Sequence, residues 1–265
     1  MASVNTNYGA AIALQNLNKT NSELERTQNR INTGMKVSSA KDSGAIFAIA
    51  TGQRANASAQ DAVRSSIQRG QSIVDVAMAA GDTITSALEE QKGLAVSIAG
   101  STGAAQTSYL AEYNALGTEI ASALSGATFD GVNLFSANAA AITVQTGTST
   151  SYTLKAIAGA ATSVATTTTA VAGDAGTIVA TVDGAITAFT AILSDFGTKS
   201  KSLGRQISFV NKLQDSLEAG VGNLVDADLA KESAKLTALQ TKQQLGVQAL
   251  SIANSSSQTL LSLFR

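Results

Sequence analysis

The sequence predicts a mainly α fold, with long antiparallel helices forming coiled-coil or bundle rods and one small central β-hairpin. Three observations predict it. First, the 265 residues include no Pro, where an average usage of about 5% would supply roughly 13. Pro inside a helix costs about 3 kcal/mol, so its absence suits very long unbroken helices. Second, apolar residues recur in alternating steps of four and three over two long stretches, the spacing of packed rods. Third, between those stretches the pattern switches once, to a short alternation around a Gly/Thr/Ser turn.

The elements follow in chain order. Leu17, Leu24 and Ile31 lie seven residues apart, with Leu14 and Met35 flanking them, which predicts a thin amphipathic first helix. "NTGMKVSSAKDSG" (Asn32–Gly44) interrupts it: Gly34 is the helix stop, and Asp42 or Ser43 can cap the next helix. The second helix carries Val63, Ile67, Gly70, Val74, Ala77, Gly81, Ile84, Leu88, Gln91, Ala95 and Ile98 on one stripe. Its small residues at 70, 77, 81 and 95 would let a neighbouring helix approach closely. After a turn at "AGSTGAAQ", Thr107–Leu124 reads as a shorter helix containing Leu110, Tyr113, Leu116 and Ile120.

The texture then changes. "FDGVNLFS" (Phe129–Ser136) carries an Asp-Gly turn signal. A β-hairpin is expected near 140–157, from the alternation of Ile142, Val144, Tyr152, Leu154 and Ala156 about a Gly/Thr/Ser turn. The low-complexity stretch at 158–176 reads as a surface loop with little core. A second long stripe runs from Val182 through Ile186, Phe189, Leu193, Phe196, Ser200, Leu203, Ile207, Val210, Gln214, Leu217 and Val221 to Leu224. Only Ser200 and Gln214 break it, so a single helix over about 60 Å long is expected.

The last segment is helical again, with Leu229, Leu236, Leu239, Leu250, Ala253, Leu260 and Phe264 on one stripe. Glu232, Gln243, Gly246 and Ser257 fall on the same stripe. Leu260, Leu261, Leu263 and Phe264 crowd the last six residues, although termini are usually polar and frayed unless tied down. Such a tail either folds onto a core or is an interface for a partner. The two terminal seams are expected to pack on each other as an inner domain of residues 1–41 and 222–265. Residues 42–221 would form a surrounding helical-bundle domain. Its core is expected at Val63, Ile67, Val74, Ile84, Leu88, Ile186, Phe189, Leu193, Phe196, Leu203, Ile207, Val210 and Leu217.

Composition argues against several classes of function. There is no Cys, hence no disulfide, thiol chemistry or Cys-based metal site, and no His, the commonest general base and metal ligand. Net charge is −1, with no basic excess for nucleic acid or anionic membrane. No apolar run approaches the roughly 20 residues of a membrane span, and no cationic, apolar leader opens the chain. "SSAK" (Ser38–Lys41) matches a Ser-x-x-Lys nucleophile motif but lacks its companion motifs, so a solvated inter-helix loop is the better reading. "VDADL" (Val225–Leu229) resembles the start of a Ca²⁺ loop, but the later ligands do not follow. Asp226 and Asp228 are read instead as carboxylates at a helix N-terminus. Glu89 and Glu90 read as a solvated helix face, and Asn18, Asn56 and Asn254 as chance glycosylation patterns within helices. No catalytic residue, cofactor or metal is expected.

With these features set out, both ends show a resemblance. "SVNTNYGAAIALQNLNKT" (Ser3–Thr20), "RINTGMKVSSAKD" (Arg30–Asp42) and "GLAVSIAG" (Gly93–Gly100) resemble the N-terminal region of bacterial flagellins. "DADLAKESAKLTALQTKQQLGVQALSIANSSSQTLLSLFR" (Asp226–Arg265) resembles their C-terminal region, through Asp226, Asp228, Ala230, Glu232, Gln240, Gln244, Leu250, Ala253-Asn254 and the closing Leu-Ser-Leu. The short chain and "GAIFAIATGQRA" (Gly44–Ala55) look most like alphaproteobacterial members.

The resemblance implies a structural subunit of an extracellular flagellar filament, a helical homopolymer for swimming, exported without a cleaved signal. It implies terminal helices paired in an inner domain, a surrounding helical domain, and outer domains inserted after the hairpin where present. Only the stretch near 158–176 occupies that place here, so no outer domain is expected. Leu14, Leu17, Leu24, Ile31, Leu229, Leu236, Leu239, Leu250, Leu260, Leu261 and Phe264 would pack the polymer core. Implied partners are other flagellin subunits, the export apparatus, a chaperone gripping the C-terminal segment, hook-associated proteins and the filament cap. Flagellins detected by the Toll-like innate receptor usually carry Arg just before the Leu-Ala-Val stretch. Here Glu90 stands at that place, which implies weak recognition. The Ser/Thr-rich Thr146–Thr153 and Thr162–Thr169 stretches are either O-glycosylated or a bare polar surface. The alternatives are a hook–filament junction protein, with similar terminal helices, and an unrelated coiled-coil surface protein.

Overall fold

The structure is a computed structural model that describes residues 7–136, 141–155, 164 and 167–262, with side chains described to residue 255. Five long helices and one two-stranded sheet make up the described chain: α1 (Tyr8–Thr33), α2 (Gly44–Ala99), α3 (Ala104–Gly126), β1 (Ile142–Gln145), β2 (Ser151–Leu154), α4 (Ile178–Val225) and α5 (Leu229–Ser262). Fold class therefore matches the sequence expectation. The 48 residues of α4 extend about 70 Å. The chain divides into two compact units, residues 1–55 with 216–265 and residues 56–215. These boundaries lie beyond 41/42 and before 221/222, so Leu217 falls in the first unit.

In the first unit α1 stops at Gly34, whose φ of 69° supplies the left-handed turn that glycine adopts without steric cost. Asp42 does not cap α2. Its carboxylate turns back and accepts hydrogen bonds from the backbone and hydroxyls of Ser38 and Ser39 at 3.1–3.2 Å. The Ser39 amide first, then the Ser38 amide, hold the Asp42 carboxyl below its usual value. Ser43 occupies the N-cap position, its carbonyl accepting from the Phe47 amide. Asp228 caps α5 by accepting from the Ala230 and Lys231 amides, both at 3.1 Å. Between these loops Met35 and Asp226 form a β-bridge. Beneath it Val37, Ala50, Val221 and Val225 make a small apolar core.

In the second unit all eleven stripe positions from Val63 to Ile98 are buried. None of the described stripe positions from Val182 to Val210 is exposed: Phe189, Phe196, Leu203 and Val210 are buried, and Ile186, Leu193 and Ile207 half-buried. Successive cross-links run in opposite senses along α2 and α4: Lys92 to Asp183 at 2.7 Å, Asp75 to Ser200 at 3.3 Å, Arg64 to Gln214 at 3.3 Å. The two helices are thus antiparallel. Of the small residues on α2, Gly81 does admit a helix side chain, Leu193 of α4. Gly70 instead seats the hairpin, since a β-carbon there would come within 2.6 Å of Val144.

The hairpin pairs Ile142 with Leu154 and Val144 with Tyr152, which puts all four apolar side chains on one face. That face is fastened by Ser66 of α2, which accepts from the Gln145 amide, and by Gln206 of α4, which donates to the Thr146 carbonyl. At Asp130-Gly131 both residues have positive φ, 53° and 74°. Phe129 and Val132 exchange backbone hydrogen bonds across them, a type I′ turn. The turn carries Phe135 into the core, with its ring centroid 5.7 Å from Phe189 and 5.6 Å from Phe196.

Two expectations are corrected here. The stretch at 158–176 is not coreless where it is described, because Val164, Thr167 and Ala170 are buried. Gln91, also fully buried, donates through Nε2 to the carbonyls of Tyr113 and Thr167 at 3.0 and 2.9 Å. Asn114 of α3 bonds both the amide and the carbonyl of Ala170. The Ala/Thr/Gly composition gives no large side chain to bury, but it leaves a backbone slim enough to lie between α2 and α3. Secondly, α4 does contain an 18-residue window with a mean hydropathy of 1.4, apolar and long enough for a membrane span. Of its large apolar side chains, Ile178, Val182, Phe189, Ile192 and Phe196 are buried in the second unit, whereas Val179, Ile186 and Leu193 are half-buried.

Candidate assembly interface

The first unit holds the terminal helices, and α1 packs along α5 in the opposite direction. Arg30 pairs with Glu232 at 3.0 Å, Asn21 accepts from Gln243 at 2.8 Å, and Asn7 donates to the Ala253 carbonyl at 2.9 Å. Between the last two, Leu17 lies against Gly246, where a β-carbon would come within 3.2 Å of it. The polar and small residues on the C-terminal stripe are therefore contact points rather than breaks. Glu232 and Gln243 bond across the seam, and Gly246 makes room for a leucine.

The sequence-predicted residues divide by exposure. Leu239 is buried, while Leu17, Leu24, Ile31, Leu236 and Leu250 are half-buried. Leu14 and Leu229 lie off the seam and are 48% and 49% exposed. The side chains of Leu260 and Leu261, and Phe264 as a whole, lie outside the described residues. Single-stripe reading missed further apolar residues facing outward: Tyr8 and Ile12 on α1, and Leu245, Val247 and Ile252 on α5, with Ile252 63% exposed. Their signal was present in the sequence as apolar residues off the stripe. A helix apolar on more than one face needs burial on more than one face.

The seam also holds polar groups without partners. Thr27 is 1% exposed and its hydroxyl has none. Nε of Arg30 and Oε2 of Glu232 are likewise buried without one, beside the ion pair that their other atoms make. Among the described residues no group of three or more His, Cys, Asp or Glu could hold a metal ion. Ser38 and Ser39 are occupied with Asp42 and lie in a loop. Glu90 is exposed on α2, as expected for a solvated face. Thr167 is buried, its hydroxyl donating to the Val164 carbonyl, so it is no acceptor for a sugar. Thr148, Ser149 and Thr150 at the hairpin tip are exposed.

An antiparallel pair of terminal helices with an outward apolar face has counterparts among known proteins. Residues 4–140 match the bacterial flagellin N-terminal helical region, and residues 179–264 match the bacterial flagellin C-terminal helical region. Flagellin FljM of Caulobacter vibrioides is 50% identical over 99% of this chain and 98% of its own length. Flagellin FljN of the same organism is 52% identical over the same shares. A flagellin of Brucella melitensis is 41% identical over the full length of both chains. The chain belongs to the bacterial flagellin family, the structural subunits of the extracellular flagellar filament.

Proposed function

We propose that polymerisation runs through the outward apolar residues of the terminal helix pair, with Leu14, Leu229, Leu245, Val247 and Ile252 making contacts between copies. The observation that carries this reading is their exposure on helices whose seam is already filled. Fully burying a Leu or Ile contributes roughly 1.5–3 kcal/mol, so several such residues offset the ordering of otherwise marginal helices. Contacts between unlike faces generate a helical filament when their rotation does not close into a ring. Leu260, Leu261 and Phe264 extend the same apolar character to the end of the chain.

Electron microscopy of the purified, concentrated chain tests the reading. Long tubes with a central channel are expected, whereas short capped oligomers would favour a junction protein and lone rods a spacer. Leu236→Asp, or removal of residues 258–265, should abolish the tubes and leave the second unit folded. Normal filaments from both variants would overturn the proposal.

On the same reading, the subunit passes through the flagellar export apparatus with a chaperone on residues 225–265, and meets hook-associated proteins and the filament cap at the filament ends. A pulldown that does not depend on residues 225–265 would remove the chaperone from this scheme. Glu90 supports weak activation of the Toll-like receptor, because like-charge or mismatched contacts at an interface cost several kcal/mol. Strong signalling by purified monomer in reporter cells would contradict that.

A further inference from the structure

Apart from Asp75, which accepts a hydrogen bond from Ser200, and Asp215 on α4, the exposed carboxylates of the second unit that make no ion pair among the described residues lie towards one end of it. Arg64, Arg69, Lys92 and Lys199 are all engaged in ion pairs, with Asp61, Asp130, Asp183 and Asp195. Lys201 and Arg205 on α4 are exposed and make none among the described residues. Asp82 and Glu89 on α2, and Glu112 and Glu119 on α3, are likewise exposed without ion pairs. Those carboxylates share one end of the unit, since Gln91 of α2 bonds the Tyr113 carbonyl of α3.

The free cations sit at a different level. Ser200 of α4 bonds Asp75 of α2, which fixes the register of the two antiparallel helices. From that link α4 carries Arg205 five residues away from the acidic end, whereas Asp82 and Glu89 lie seven and fourteen residues towards it. Lys201 lies one residue from the link, so at about 1.5 Å per residue the axial separations run from about 12 Å (Lys201 to Asp82) to about 28 Å (Arg205 to Glu89). That is too far for an ion pair within one chain, and beyond the Debye length of about 8 Å at physiological salt.

We propose that Lys201 and Arg205 of one copy dock against the Asp82–Glu89 carboxylates of a second copy, so that charge sets the axial stagger between neighbouring subunits. The proposal rests on the filament reading above and deepens it. Opposite patches at different heights are satisfied only by copies shifted along their length. Each copy then presents both patches to further copies, a heterologous contact that propagates without closing. Apolar burial at the terminal helices drives assembly, and complementary charge selects the register, its usual role at interfaces.

The test follows growth of the full-length chain by light scattering and electron microscopy. Three variants are compared with wild type: Lys201→Glu with Arg205→Glu, Asp82→Lys with Glu89→Lys, and all four changes together. Each paired reversal should raise the critical concentration about tenfold or more at low salt, with circular dichroism unchanged because the side chains are exposed. The fourfold variant should return to within about threefold of wild type. In about 1 M salt, where the Debye length is about 3 Å, the differences should collapse. If both reversals assemble like wild type, or the fourfold variant is as impaired as either, the charge contact is wrong while the filament reading stands. A wild-type chain that forms no filaments at any salt would overturn both.

Discussion

Gly117 of α3 lies directly against the backbone of Thr168, so that a β-carbon at 117 would overlap the Thr168 carbonyl oxygen. The obstacle is backbone, in a segment held on either side by Gln91 and Asn114. It therefore cannot swing away as a flexible side chain would.

Gly117→Ala should destabilise the second unit by about 1–3 kcal/mol, the usual cost of overpacking. Gly93→Ala is the matched control, since nothing lies within 4 Å of a β-carbon there. On an exposed helix position that change should stabilise by about 0.5–1 kcal/mol. Urea unfolding of both variants checks the opposite signs.

Gln91→Leu should free the segment around Thr167. The substitution removes two hydrogen bonds from the buried Nε2 and leaves the Thr167 carbonyl short of a donor, while the Tyr113 carbonyl keeps its place in the helical ladder of α3. Each buried group left unsatisfied costs about 1–3 kcal/mol. Hydrogen exchange should lose protection at residues 167–170 first, with the α2–α4 contact region less affected. Unchanged protection there would show that the glutamine is not what holds the segment.

Burial, and secondarily the Asp174 carboxylate, pushes the Tyr113 hydroxyl up from 10.0 to about 12. The folded chain therefore keeps this proton over a range where the unfolded chain releases it. Stability from this group is full below pH 10 and is lost as pH rises towards 12. Tyr113→Phe should flatten that part of the pH–stability curve relative to wild type. At neutral pH it should cost little, because the buried hydroxyl has no partner.

Thr27→Val should stabilise the terminal helix pair. The hydroxyl is buried without a partner in the α1–α5 seam, and replacing it with a methyl of similar size removes a desolvation cost of about 1 kcal/mol or more. Thermal melting followed by helical circular dichroism should shift upward. Thr27→Ser keeps the hydroxyl and loses a methyl, so it should shift downward.

Much of this architecture was legible in the residues themselves. The absence of Pro and the four-three recurrence describe one helix at a time, and a periodic apolar face must be buried whatever covers it. The stripe from Val63 to Ile98 is buried throughout, and no described stripe position from Val182 to Val210 is exposed. The alternation at Ile142, Val144, Tyr152 and Leu154 is local in the same way, as are the stops at Gly34 and Asp130-Gly131.

What depended on tertiary structure was the meaning of residues that break a pattern. Glu232, Gln243 and Gly246 look like faults in a stripe until Arg30, Asn21 and Leu17 stand opposite them. The segment around Thr167 has the composition of a solvated loop, and only the convergence of Gln91, Asn114 and Gly117 makes it core. The sequence by itself determined which faces had to be covered, because apolar periodicity is written within each helix. Only the tertiary structure decided what covers them, because a hydrogen bond or a close backbone approach exists only once distant segments meet.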